Sequence, residues 1–501
     1  MTELVRLARD FGFADESLVS YGPDRIKVFF DLTAAPAGDG RLFVIAGMTP
    51  PREGVGKSSV ALALTDALNR RGTRALASMR HLSLGEAVGK GPGKGYLPRI
   101  EPEEVFRFAV NQDSGLVASC QNLFAALADQ ALKTGAFALD PQRVFVKRCH
   151  DLCDDTLRRA GFVLAGSSEL MAILALVTDP DEVESRVGQM IVGCNTAGGA
   201  VRVRDFGAGQ AAARILKCAA RPDLMRTSGG SPCLVHTASF AHTSLGSSSI
   251  TADRMALAHG AVCVTETGYG SELGLEKFFD IKVRAWGRFP ERVILVVSVS
   301  AIRAQGDGEE LDSGMANLGA HVENVRKFGY EPVVVVNRFE SDSAKDLEAL
   351  ASGIRALGFL SFTVSLGEKG HPGMDELAEA LFVRKDACSF TLGYKLAAPL
   401  QEKVESVART FFGAEGVEFS NEALEEMENL RNEGYDRFPV MFVKTPFSLG
   451  HASSLKGRPK GYMLPVKDIS YWAGAGVVRA DCGGVPLMPS FKTGPEVINL
   501  T

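Results

Sequence analysis

No apolar run in this 501-residue chain is long enough to cross a bilayer; stretches such as "RVILVVSVSAI" from Arg292 fall well short. A basic excess is also lacking. The 55 Lys and Arg stand against 60 Asp and Glu, a net charge of −5, so no global positive field invites nucleic acid or an anionic membrane. Paired cysteines are missing: the nine present are scattered and odd in number. With no apolar signal segment at the start, a reducing cytoplasm is the expected compartment. Cys149 and Cys153 flank His150, but no second pair completes a tetrahedral zinc set. Tryptophan is scarce, with only Trp286 and Trp472, and repeats and low-complexity segments are absent. What remains is ordinary for a folded chain, 46% hydrophobic and 23% charged, and the length predicts two to four domains.

The pattern along the chain is that of an α/β protein. A helix is predicted over "ELVRLARDFG", then a Gly/Pro-rich turn, "APAGDG". "RLFVIAGM" is continuously apolar, as a strand buried on both faces of a parallel sheet must be. A glycine-bearing loop follows, and then an amphipathic helix, "SSVALALTDALNRRG", closed by Gly72. Further buried strands are predicted at 292–300, 332–337 and 260–266. The helical stretch "ANLGAHVENVRKFG" between the first two makes a strand–helix–strand crossover. Residues 375–435 are helix-rich, and from Val440 onward short strands and loops form a separate small unit.

The loop after the first buried strand, "MTPPREGVGKSS", has the order of a phosphate-binding turn but not its usual spacing. Pro51 stands where a Walker A loop carries its first glycine. The working parts persist. Gly54 and Gly56 let backbone N–H groups converge on phosphate, Lys57 reaches the outer oxygens, and Ser58 is a candidate Mg²⁺ ligand beside Ser59. The bland alternative is an ordinary βα turn with an exposed lysine.

Several segments go together: "RHLSLGEAVGKGPGKGY" (80–96), "TETGYGSELGLEKFFDIKVR" (265–284), "NLGAHVENVRKFG" (317–329), "VVNRFESD" (335–342), "FPVMFVKTPFSL" (438–449), "GRPKGY" (457–462) and "AGAGVV" (473–478). In order and rough spacing they resemble the formate–tetrahydrofolate ligase family. The resemblance extends from "YGPDRIKV" to "LMPSF", nearly the whole chain. It implies a P-loop-type parallel sheet flanked by helices, with two smaller α+β domains. The expected division is a core of 1–110 and 232–410, an inserted domain of 111–231 and a C-terminal domain of 411–501. The family's loop, typically TPAGEGKT, also lacks the first Walker glycine.

The implied reaction has two steps: formate attacks the γ-phosphate of ATP to give formyl phosphate, and the N10 amine of tetrahydrofolate then takes the formyl group. Implied cofactors are ATP, Mg²⁺ and a monovalent cation (K⁺ or NH₄⁺), and the implied assembly is a homo-oligomer, typically a tetramer. Carried over by position, Lys57 and Arg80 are the catalytic candidates. Thr49, Gly54, Gly56, Lys57, Ser58 and Ser59 would hold ATP, with Mg²⁺ on Ser58. Glycines around Lys90 and Lys94 would form a flexible segment beside the phosphates. Phe339 would contact the pterin; otherwise it is a core phenylalanine. His236, Glu266 and Glu272 would wall the site, and Glu276 belongs to the same acidic stretch, whose other reading is a helix cap.

Departures cluster at the folate end. The run "LGEKGHPG" (366–373) has no aromatic in front of it, and Glu340 replaces a proline after Phe339. The family's "HGGPFANIAHG" appears as "HTASFAHTSLG" (236–246), keeping His236, Phe240 and Gly246 but losing the paired glycines. Two alternatives therefore stand beside the ligase: a catalytically impaired, nucleotide-binding relative that serves as a scaffold or regulatory subunit, and a ligase for another small carboxylate.

Overall fold

A computed structural model describes residues 2–22, 24–29, 40–89, 96–152, 155–307, 310–383, 389–483 and 485. Cys153, Lys90 and Lys94, and the "LMPSF" stretch lie outside the described residues.

Eleven strands build the central sheet: β1 (Leu18–Ser20), β2 (Ile26–Val28), β3 (Arg41–Gly47), β4 (Ala75–Met79), β5 (Ile100–Glu101), β6 (Asp223–Thr227), β7 (Pro232–Val235), β8 (Val262–Gly270), β9 (Arg292–Val297), β10 (Val333–Asn337) and β11 (Ser361–Val364). Their order is β1-β2-β6-β7-β4-β8-β3-β9-β10-β11, with β5 also on β6. From β7 to β11 every pairing is parallel, while β1, β2, β5 and β6 form an antiparallel edge. Strand β3 lies in the middle, and residues 42–47 are buried. That is why its sequence is apolar without alternation.

From β3 the chain passes through α1 (Lys57–Arg70) to β4, and β8 later slots between those two strands. Helix α1 is buried continuously from Val60 to Leu68, so its apolar residues exceed a single stripe. The strand ends carrying the predicted loop, Arg80, Glu266 and Asn337 all open on one edge of the parallel sheet, the edge on which α/β proteins hold ligands.

The segment expected as an insertion over 111–231 returns to the central sheet earlier than that boundary, at β6. There Asp223, at the start of β6, and Asp113 hold the buried Arg25 and Lys27 in one cluster. Sequence spacing carries no sign of that pairing. Before β6 the chain builds α2 (Gln112–Thr134) and a separate antiparallel sheet of 139–144, 191–195 and 200–202, with its own apolar cluster. After the helix Leu400–Val407, Val440–Val443, Asp468–Trp472 and Val477–Asp481 form another sheet, and Gly416–Phe419 pairs with Met463–Val466. The strand predicted at 292–300 is shorter. Ser298 stops it by accepting the Ala301 N–H, which caps a helix over Val299–Gln305.

Candidate active site

After β3 the chain turns through two left-handed glycines, Gly54 (φ +85°) and Gly56 (φ +81°). A side chain at Gly56 has no room: its Cβ would lie 2.2 Å from the Asn337 amide nitrogen. That amide, at the carboxyl end of β10, donates to the Val55 carbonyl at 3.1 Å and so fixes the turn. Helix α1 begins at Lys57, whose stem passes over Gly47; a Cβ there would be 3.1 Å from Lys57 Cδ.

Thr49 has a different post from the one expected of an ATP contact. It is fully buried, its backbone N–H donates to His321 Nε2 at 2.8 Å, and its hydroxyl receives the Asn317 amide at 3.1 Å. His321 and Asn317 are one turn apart on α3 (Leu311–Lys327), and Asn317 also donates to the Gly457 carbonyl at 2.8 Å. Because Nε2 accepts a backbone N–H, the ring proton sits on Nδ1 and points to Ser271 Oγ at 2.8 Å. Burial, with Lys444 and Lys57 nearby, pushes the His321 pKa down to about 3, so the ring is neutral.

On the other side of α1's first turn, the Ser58 hydroxyl lies 2.9 Å from both carboxylate oxygens of Glu266. Arg80, just past β4, places Nη2 3.9 Å from Glu266 and donates through Nη1 to the Ser239 carbonyl at 2.8 Å. Its Nε is buried and unpartnered among the described residues. Ser58, Ser59, Arg80 and Glu266 line a cavity of about 240 Å³ together with Arg99, Arg107 and Glu86. The site therefore combines a turn of backbone donors, a serine–carboxylate pair and a half-satisfied guanidinium.

The other predicted residues fall at different depths. Glu272 is fully buried, 3.6 Å from Lys444 Nζ and 3.7 Å from His321; burial raises its pKa, and Lys444 opposes that. Glu276 is buried as well, its pKa raised by burial and then by Asp280. His236 does not reach the cavity. Its ring nitrogens engage Ser249 and the Ala219 carbonyl, and burial lowers its pKa to about 3. Phe339 is not a core residue: it is 36% exposed, and its ring edge lies 4.0 Å from where a Gly56 Cβ would be. Glu340 lies against the turn of 366–373, with its carboxylate 3.7 Å from a Cβ built on Gly367. Two of the folate-end departures are thus neighbours in space.

Sequence reasoning missed Asn337, Asn317 and His321. Asn337 had a signal, since it closes "VVVVN" at a strand's ligand-facing end. Asn317 and His321 had only their four-residue spacing on a helix. Arg99, Arg107 and Glu86 had none.

The fold is that of an α/β protein, a largely parallel sheet with a glycine turn, a serine–carboxylate pair and an arginine at its strand ends. The model of the formate–tetrahydrofolate ligase family matches residues 1–501. Similar proteins named formate–tetrahydrofolate ligase occur in Thermotoga petrophila (34% identical, covering 100% of this chain and 98% of the relative), Paracoccus denitrificans (33%, 99% and 95%) and Thermus thermophilus (33%, 99% and 95%). The chain belongs to the formate–tetrahydrofolate ligase family.

Proposed function

We propose that this chain ligates formate to tetrahydrofolate with cleavage of ATP to ADP and phosphate. A formate oxygen attacks the γ-phosphorus and ADP leaves; the N10 amine then attacks the formyl carbon, and phosphate leaves. The observation that carries this reading is the placement of Arg80 beside the Ser58–Glu266 pair, with its Nε buried and unpartnered among the described residues. Arg80 lines the cavity, and its planar fork suits a carboxylate or a phosphoryl group.

In this reading the loop is of P-loop type: Gly54, Gly56, Lys57 and the first N–H groups of α1 take the nucleotide phosphates. Ser58 and Glu266 offer hard oxygen ligands close together, which fits Mg²⁺, an ion that needs few protein ligands when phosphates supply others. Bound there, Mg²⁺ would neutralise phosphate charge. Lys57 and Arg80 orient the γ-phosphate and formate for an in-line approach, and positioning plus charge compensation suffices for such a transfer. Phe339, exposed beside the turn, is the pterin contact in this scheme. The expected setting is a cytoplasmic homo-oligomer activated by K⁺ or NH₄⁺. Formation of 10-formyltetrahydrofolate from formate, MgATP and tetrahydrofolate, with and without K⁺, tests the proposal. ATP hydrolysis only with a different acid would favour a ligase for another carboxylate. The adjoining departures at Glu340 and 366–373 favour a second reading, a nucleotide-binding relative with a lost folate seat; binding of MgATP without turnover would select it.

A further inference from the structure

Lys277 is a cation in an unusual setting. Its side chain is fully buried in the helical turns after β8, and no carboxylate is bonded to it among the described residues. Its ammonium instead donates to two backbone carbonyls, Ala241 at 2.6 Å and Ser244 at 2.9 Å. Both belong to the 237–246 turn, where the sequence departs from the family's glycine-rich pattern.

That turn needs holding. Thr237, in place of a family glycine, sits at φ +60°, a left-handed conformation costly for a β-branched residue unless its surroundings enforce it. The turn is closed on itself by Ser239 Oγ, which accepts the N–H groups of Leu245 and Gly246 at 3.0 and 3.1 Å. The Gly246 carbonyl is tied to the Gly268 N–H at 2.7 Å. Gly246 itself allows no side chain, since a Cβ would lie 2.1 Å from that of Ala241. The free product of this construction is the Ser239 carbonyl, which receives Arg80 Nη1 at 2.8 Å.

We propose that Lys277 is a positioning residue for the reaction: by clamping Ala241 and Ser244 it fixes the Ser239 carbonyl and thereby the direction of the Arg80 guanidinium. The kinetic part rests on the reading of Arg80 as the residue that holds formate or the transferring group. The clamp needs only two N–H donors, and an amine supplies two in either protonation state. Burial, which lowers the Lys277 pKa to about 7, therefore does not release the turn.

Two measurements on the full chain test this. Hydrogen exchange reads the clamp without any assay. In Lys277→Met the Leu245 and Gly246 amides are expected to exchange at least about tenfold faster, while those of α1 keep their protection. Unchanged exchange at Leu245 and Gly246 overturns the clamp even if the protein proves to have another activity. A double-mutant cycle reads the route through Arg80. Lys277→Met is expected to lower kcat/KM for formate about tenfold in the parent, but less than about twofold in an Arg80→Lys background, because coupled sites are non-additive. Equal losses in both backgrounds overturn that route. Should Lys277→Met fail to fold, Lys277→Leu, which likewise removes both donors, carries the same comparisons with the same directions. Absence of turnover in the parent would count against the ligase reading and leave the exchange result to decide the clamp.

Discussion

At the scale of single residues, the proposed chemistry depends on two cations of different kinds. Lys57 begins a helix at the edge of the sheet and fills no core, so Lys57→Ala is expected to abolish ATP-dependent chemistry while leaving the thermal unfolding midpoint close to the parent's. Turnover at the parent rate would remove the loop from the phosphate site. Arg80 is held by one nitrogen, faces Glu266 with another and leaves the third unpartnered. Arg80→Lys keeps the charge but loses the fork, and the expected loss is at least about tenfold and lies in kcat, because the contact strengthens as charge moves in the transition state. Unaltered kinetics would make Arg80 a strand-end ion pair. Residue type and position made both legible in the sequence. The bonding state of Arg80 was not, since it depends on a turn more than 150 residues away.

At the scale of elements, the loop after β3 is held from outside as well: β10 bonds Val55 through Asn337, and α3 latches Thr49 through Asn317 and His321. Gly56→Ala forces a left-handed alanine against the Asn337 amide and is expected to cost at least about 1 kcal/mol of stability, read by urea unfolding, together with nucleotide binding. His321 gives the latch a pH signature. Its folded pKa, about 3, lies below the unfolded value near 6.5, so between those limits the unfolded chain binds the extra proton. Stability from this group is complete above pH 6.5 and is lost on acidification. Between pH 6.5 and 5.5 the parent is expected to lose about 1 kcal/mol more than His321→Gln. Parallel losses would mean that the ring is not held neutral. Buried parallel strands and their following helices were readable because a two-sided burial pattern leaves apolar runs in "RLFVIAGM" and "VVVVN". The latch was not readable, because its partners meet only after three elements are packed.

At the scale of the whole molecule, one edge of the sheet carries both ends of the proposed reaction, with Arg80 and Ser58 on one side of the glycine turn and Phe339 on the other. If the exposed Phe339 ring stacks on a pterin, tetrahydrofolate at about a hundred times its Kd adds roughly 2.7 kcal/mol of stability. The resulting melting shift is expected in the parent and absent in Phe339→Ala. A shift with MgATP but none with tetrahydrofolate in the parent would move the account to the nucleotide-binding relative. The order of segments along the chain was enough to show the family. It did not show that Glu340 and the 366–373 turn are neighbours, nor that β6 brings the chain back to the sheet through a buried cluster of Arg25, Lys27, Asp113 and Asp223. The central claim is that formate is activated by phosphorylation and passed to tetrahydrofolate. Formate carrying ¹⁸O, incubated with the protein, MgATP and tetrahydrofolate, tests it most directly. One labelled oxygen is expected in the released phosphate for each 10-formyltetrahydrofolate formed. Product accompanied by unlabelled phosphate, or ADP released without formate, would contradict it.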